Sequence, residues 1–180
     1  MTLKEIRRAR EKACQLLQKA QIVITQEEKG SMEVVDFGLN DFERFGFEII
    51  VYENNDRYCA KELILFPRQI CMEHRHPKVS EKNIGKQETF RCRWGEVYLY
   101  VKGDPSPKPK AVLPESHKKY FTAWREIILR PSDQYTLPPD SLHWLQAGDK
   151  GAIISEFSST STDENDIFTN PNLRRTPQVE

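Results

Sequence analysis

The sequence predicts an all-β protein, a jelly-roll barrel preceded by one α-helix. After Gly38 the chain breaks into about nine short segments rich in β-branched and aromatic residues, the spacing of a small barrel or double sheet. Turn chemistry separates them, as at Glu53-Asn54-Asn55-Asp56, Lys102-Gly103-Asp104-Pro105 and Pro138-Pro139-Asp140. The helix is set by the stretch from Thr2 to Ala20. It has no Pro or Gly, and Ile6, Ala9, Ala13, Leu16, Leu17 and Ala20 recur at helical spacing.

Strands are predicted over 47–52, 57–66, 70–76, 87–93, 96–101, 120–129, 134–137, 142–147 and 151–157. Between them, Pro105, Pro107, Pro109 and Pro114 remove ladder donors and make 104–114 a long exposed loop. With 180 residues, 38% apolar and 30% charged, the chain fits one globular domain, read as 1–170 with a tail at 171–180.

Lys+Arg and Asp+Glu both number 27, so no basic excess favours nucleic acid or an anionic membrane. The polar face of the helix carries both signs, which favours packing on the barrel over lying on a bilayer. Apolar runs such as Leu63 to Phe66 fall far short of the roughly 20 residues of a membrane helix. Met1 leads into a charged segment rather than a hydrophobic leader, which points to the cytoplasm. Cys14, Cys59, Cys71 and Cys92 form no C-x-x-C and read as free thiols in the core.

His74-Arg75-His76 ends the strand at 70–76, where a period of two sends both imidazoles to one face, with Ile70 and Met72. Glu88 shares a face with Phe90 and Cys92, and an unpaired carboxylate there is costly. A divalent metal would relieve that cost, and His143, just after the turn at 138–141, offers a third imidazole. Taken singly, these could be a surface histidine pair and a satisfied core histidine. Together they match the metal motif of the cupin barrel. His117, beside Lys118 and Lys119, is given no role.

Four segments carry a closer likeness: Asp56-Arg57-Tyr58-Cys59-Ala60-Lys61-Glu62-Leu63, Glu73-His74-Arg75-His76-Pro77, Gly85-Lys86-Gln87-Glu88-Thr89-Phe90-Arg91-Cys92-Arg93 and Ser158-Ser159-Thr160-Ser161-Thr162-Asp163. They resemble the cupin-type D-lyxose isomerases, and the resemblance runs from the first helix to about Asn170. It implies a ketol isomerase that interconverts D-lyxose with D-xylulose and D-mannose with D-fructose. It also implies a divalent metal, usually Mn(II), a free sugar as substrate and a homodimer. The resemblance makes His74, His76, Glu88 and His143 the metal ligands. It places Lys61 and Glu156 at substrate-handling, catalytic positions, and Asp163 and Asp166 as further substrate-binding candidates.

The residues themselves support part of this. Lys61 alternates with Cys59, Leu63 and Leu65, and Glu156 with Ala152 and Ile154, so each puts a charge on an apolar strand face. A Lys61–Glu156 ion pair would explain the same pattern. Twelve positions separate His76 from Glu88, more than the short loop of many cupins, and this insert, expected at the rim, fits the isomerase family. In the expected chemistry Glu156 moves a proton between C1 and C2 while Lys61 stabilises a sugar oxygen, with a metal-assisted hydride shift as the other route. Two rival readings are a cupin Fe(II) dioxygenase, which would want a more apolar cavity and no Lys/Glu pair, and a non-catalytic sugar-binding cupin. A phosphosugar isomerase is disfavoured because Arg174 and Arg175 fall in the tail.

Overall fold

Thr2 caps the first helix, α1 (Leu3–Lys19): its hydroxyl accepts from the Glu5 N–H, and the Glu5 carboxylate accepts in return from the Thr2 N–H. The face that α1 buries is Ala9, Ala13, Leu16 and Leu17, the face its periodicity marks. A second helix, α2 (Gln26–Ser31), repeats the capping device with Thr25 and Glu28. At six residues it is too short for periodicity to reveal. The structure, a computed structural model, describes residues 1–81 and 83–175.

The strands are β1 (Glu33–Val35), β2 (Phe47–Asn54), β3 (Cys59–Leu65), β4 (Ile70–Arg75), β5 (Glu88–Val101), β6 (Arg125–Leu129), β7 (Gln134–Leu137), β8 (His143–Ser158) and β9 (Ile167–Phe168). Hydrogen bonding runs β1-β2-β3-β8-β4-β9, and β5 pairs with β6, β7 and β8, every pairing antiparallel. The all-β class holds, but two pairs of predicted strands fuse. The segments at 87–93 and 96–101 form the single strand β5, and those at 142–147 and 151–157 form β8. Their shared ladder extends from Glu88↔Ser158 to Val101↔His143, with register shifts between Cys92 and Trp94 and between Gly95 and Val97.

These bulges bend the ribbon rather than end it. At the bend Gly95 has φ 76 and Gly151 φ 93, and a Cβ on Gly95 would lie 2.0 Å from the Gly151 carbonyl oxygen, so no larger residue fits. The bend brings Glu88 and His143, from opposite ends of the ribbon, face to face inside the barrel: Glu88 Oε1 lies 3.2 Å from His143 Nε2.

Two apolar clusters hold the fold. One fills the barrel, with Tyr100 stacked on Trp144 at 4.0 Å between ring centres. The other seals α1 onto the outer sheet face through Leu16, Leu17, Met32, Ile50, Ile64, Phe66 and Ile153. The predicted strand at 120–129 is strand only from Arg125; Lys118–Tyr120 is a 3-10 turn. Phe121 and Ala123 are buried outside any ladder, because the Glu73 carboxylate takes the N–H groups of Thr122 (2.7 Å) and Ala123 (2.8 Å) in place of a strand partner. The 104–114 loop is exposed only in part: Ala111 and Leu113 pack on the core, and the Val112 N–H donates to Gln146 at 2.9 Å. All four cysteines are free, Cys59, Cys71 and Cys92 buried and Cys14 half-buried. No helix among the described residues is long and apolar enough to cross a membrane.

Candidate active site

His74 and His76 reach the interior through a bulge. Between Cys71↔Leu145 and His74↔His143, three steps along β4 face two along β8, which reverses the alternation. Cys71, not Ile70 or Met72, therefore shares the cavity with both imidazoles, a correction to the simple period-two reading. His143 follows a turn in which Asp140 takes φ 59, the Ser141 hydroxyl donates to the Pro138 carbonyl (2.7 Å) and Arg75 pairs with Asp140.

Each imidazole is fixed from behind. His74 Nδ1–H donates to the Met72 carbonyl at 2.8 Å, His143 Nδ1–H to the Ser141 carbonyl at 2.9 Å, and His76 Nδ1–H to the Asp166 carboxylate. The three rings each bring a nitrogen within 4.8 Å of the others. The Nε2 atoms of His76 and His143 both lie 3.2 Å from Glu88 Oε1, yet neither is aligned as a hydrogen bond, and both are buried without a partner. Buried ring nitrogens without a hydrogen-bond partner are rare, and three imidazoles with one carboxylate suit a divalent cation of borderline hardness.

Electrostatics divide the histidines. Burial, reinforced by the neighbouring imidazoles, holds His74 well below the usual histidine range, and burial lowers His143 as well, so both favour the neutral ligating form. Burial pulls His76 down too and is the largest single influence, but Glu88 and the Asp166 carboxylate behind the ring together outweigh it and push His76 up to about 9, so a proton competes there with any cation.

Lys86 is the residue the sequence reading missed. Gly85, at φ 104, lets the backbone pass so close to His76 that a Cβ would sit 2.6 Å from its carbonyl oxygen, and this delivers Lys86 into the cavity. Its Nζ lies 2.9 Å from Glu156 Oε1, 3.0 Å from Glu88 Oε2 and 3.4 Å from Asp163 Oδ1. Burial disfavours its charge, but Glu156, Glu88 and Asp163 together hold it well above the usual lysine value. Glu88 is held well below the carboxylate range, Lys86, His76 and His143 overcoming its burial. The signal was present: Lys86, Glu88 and Phe90 alternate on one face, and the rule that singled out Glu88 applies equally two residues earlier.

Lys61 and Glu156 are backbone partners in register, but their side chains part. Lys61 donates to Ser161 Oγ (2.8 Å) and Asp163 (2.6 Å), while Glu156 turns to Lys86, so the Lys61–Glu156 pair is not formed. Asp163 also meets Arg175 at 3.3 Å, and its cations hold its carboxyl well below the usual range despite burial. Asp166 sits behind His76, its pKa raised by burial.

The tail boundary expected at 171 does not fit the packing of residues 171–175. Leu173 lies against the core, the Arg174 N–H donates to the Phe37 carbonyl at 3.1 Å, and Arg175 joins Glu33 (3.1 Å) to Asp163 inside the site. Residues 176–180 of that tail lie outside the described residues. His117 rests on the Phe45 ring, 4.6 Å between centres, away from the site. The innermost cavity measures about 40 Å³. Lys61, Asp163 and Arg175 separate it from an outer pocket of about 220 Å³ lined by Glu33, Asn54, Ser161 and Glu164. The inner cavity mixes these charged groups with Phe37, Phe47, Ile49, Leu63, Phe90 and Phe168, so the Lys86–Glu156 pair, not the polarity of the lining, counts against a dioxygenase.

In fold the chain is similar to solved L-ribose isomerases. That of Acinetobacter sp. DL28 in complex with L-ribose superposes with a TM-score of 0.83 at 15% identity, covering 100% of this chain and 98% of that one. That of Cellulomonas parahominis with L-ribose gives 0.82 at 16%, with the same coverage. Barrel and donor set thus define a cupin-fold protein with a charged interior. The D-lyxose isomerase family model matches residues 9–180, and the chain belongs to this family, making it a sugar isomerase. It is 63% identical over 179 residues to the D-lyxose ketol-isomerase of Thermofilum sp., covering 99% of each chain. It is 55% identical over 176 residues to the D-lyxose/D-mannose isomerase of Thermosediminibacter oceani, covering 98% of this chain and 97% of that one.

Proposed function

We propose that the chain is a divalent-metal-dependent ketol-isomerase that interconverts D-lyxose with D-xylulose and D-mannose with D-fructose. The observation that carries this is the pair of buried, unpartnered nitrogens of His76 and His143, each 3.2 Å from one oxygen of Glu88, with Glu156 reached from the same Lys86 ammonium. The names of the two relatives supply D-lyxose and D-mannose, and D-xylulose and D-fructose are the ketoses that ketol isomerisation of these makes. His74, His76, Glu88 and His143 would hold the ion, and Mn(II) suits their mixed N and O donors. Bound there, it would supply Lewis acidity to stabilise negative charge on two adjacent sugar oxygens.

Glu156 is the carboxylate that takes a proton from one carbon and returns it to the next. Lys61 and Asp163 stand at the exit of the inner cavity and meet sugar hydroxyls. At roughly 10–15 Å³ for each water by the same measure, the inner space of about 40 Å³ admits only the reacting end of a sugar. The remainder extends into the outer pocket once Lys61, Asp163 and Arg175 part. Arg175 lines both pockets, so its place near the end of the chain does not argue against a phosphate; the free sugars in the relatives' names, D-lyxose and D-mannose, are what favour an unphosphorylated substrate.

The test is ketose formation from free and phosphorylated aldoses by chelated protein before and after reloading with Mn(II). D-lyxose and D-mannose should turn over only after reloading. Glu156→Gln should retain metal yet lose about 10²–10⁴-fold in kcat, and the wild type should carry solvent deuterium into product in D2O. A higher kcat/KM for mannose 6-phosphate than for mannose would reassign the substrate. Near-wild-type turnover in Glu156→Gln with no deuterium uptake would favour the hydride route.

A further inference from the structure

Lys86 is buried, and the three carboxylates it meets come from three separate parts of the chain: Glu88 at the start of β5, Glu156 near the end of β8, and Asp163 beyond it. Neutralising a buried ammonium takes one good partner; three partners make it a junction. At Glu88 the contacts divide by oxygen. Oε2 forms an ion pair with the Lys86 ammonium at 3.0 Å, and Oε1 lies 3.2 Å from the Nε2 atoms of both His76 and His143. The carboxylate thus has one oxygen tied and the other presented to the imidazoles.

We propose that Lys86 is a positioning residue that sets two carboxylates with one ammonium: it turns Glu88 so that Oε1 faces the histidine cluster, and it holds Glu156 at a fixed place beside the same cluster. This rests on reading His74, His76, Glu88 and His143 as a cation site and Glu156 as the proton carrier. Without Lys86, Glu88 loses the ion pair that holds its Oε2, and the two like-charged carboxylates that shared the ammonium repel each other. A lysine that only filled space would leave cation affinity and turnover unchanged when replaced by an apolar chain of similar length, and one that only balanced charge would, once replaced, let the site bind a cation more tightly, because a neighbouring positive charge is gone.

The test uses Lys86→Met, which keeps bulk and removes the donor, and Lys86→Arg, which keeps charge and donors. Mn(II) affinity of the chelated proteins is measured by calorimetry, folding by circular dichroism, and kcat and KM at saturating Mn(II). Lys86→Met should bind Mn(II) about 10–100-fold more weakly, the usual scale for groups that orient metal ligands. With metal saturating, it should still lose about tenfold or more in kcat with KM nearly unchanged, because Glu156 is no longer held. Lys86→Arg should recover part of the Mn(II) affinity. A folded Lys86→Met with wild-type or tighter Mn(II) affinity would overturn the proposal, as would a raised KM at unchanged kcat, which would make Lys86 a sugar-binding group. If Lys86→Met does not fold, Lys86→Gln, too short to span both carboxylates, is judged by the same criteria. Mn(II) affinity is read without turnover. Lys86-dependent Mn(II) binding in a wild type inactive on D-lyxose and D-mannose would therefore sink the substrate reading and leave this one standing.

Discussion

Replacing Glu48 by glutamine should stabilise the protein by an amount that grows with pH. Glu48 lies on β2 beneath α1, fully buried, and neither of its carboxyl oxygens has a hydrogen-bond partner. Burial raises its pKa well above the usual 4.5, against the pull of Lys12. The folded chain therefore keeps a proton that the unfolded chain releases near pH 4.5. Stability is complete below that pH, falls as pH rises toward the folded pKa, and levels off above it. The slope in that window approaches about 1.4 kcal/mol per pH unit. At low pH the two proteins should be nearly matched, since each buries an unpartnered neutral group. Glutamine does not titrate, so the variant loses the slope. Urea unfolding of both proteins at equal metal content, in unit steps from about pH 5 to 8, should show the variant's advantage widening. A difference that stays flat or narrows with pH would refute a protonated carboxyl beneath the helix.

The remaining predictions concern backbone and buried charge. Gly95→Ala should cost more than about 2 kcal/mol in denaturant unfolding, since its Cβ would meet the Gly151 carbonyl at 2.0 Å and both partners are backbone; a loss under about 0.5 kcal/mol would mean the bend tolerates a side chain. Glu73→Gln should cost about 2–3 kcal/mol and expose the segment around Thr122 to protease. The Glu73 carboxylate accepts from Thr122 N, Thr122 Oγ1, Ala123 N and Thr169 Oγ1, and an amide would point an N–H at one of these donors.

Local alternation was enough to find Glu88 and to place Lys61 and Glu156 on inward faces, because a strand's period of two needs only its own sequence. It misassigned the companions of His74, since a bulge in β4 depends on how β8 pairs with it, which no single segment records. The breaks read at 94–95 and 148–150 are a tight bend centred on Gly95 and Gly151, because the same residues serve turns and bends and only the paired strand distinguishes them. The partner of Lys61 proved to be Asp163, 102 positions away, rather than its ladder neighbour Glu156, a choice made by side-chain geometry across the cavity. Arg175 was unreadable for a different reason: a polar, proline-flanked terminus looks unstructured until the Asp163 and Glu33 carboxylates are seen waiting for it.

The bent β5–β8 ribbon also governs how the barrel fluctuates. A jelly roll assembled from separate hairpins can breathe at one end while the other stays closed, because each opening breaks only local ladder bonds. Here the strands that frame Glu88 and Glu156 continue through Gly95 and Gly151 into those that frame Val101 and His143. Exposing amides at either end must unzip a ladder shared with the other, so both halves should exchange deuterium as one slow cooperative unit while short elements such as β9 exchange sooner. The groups around the cavity thus keep their mutual spacing through the same thermal motions that loosen its rim.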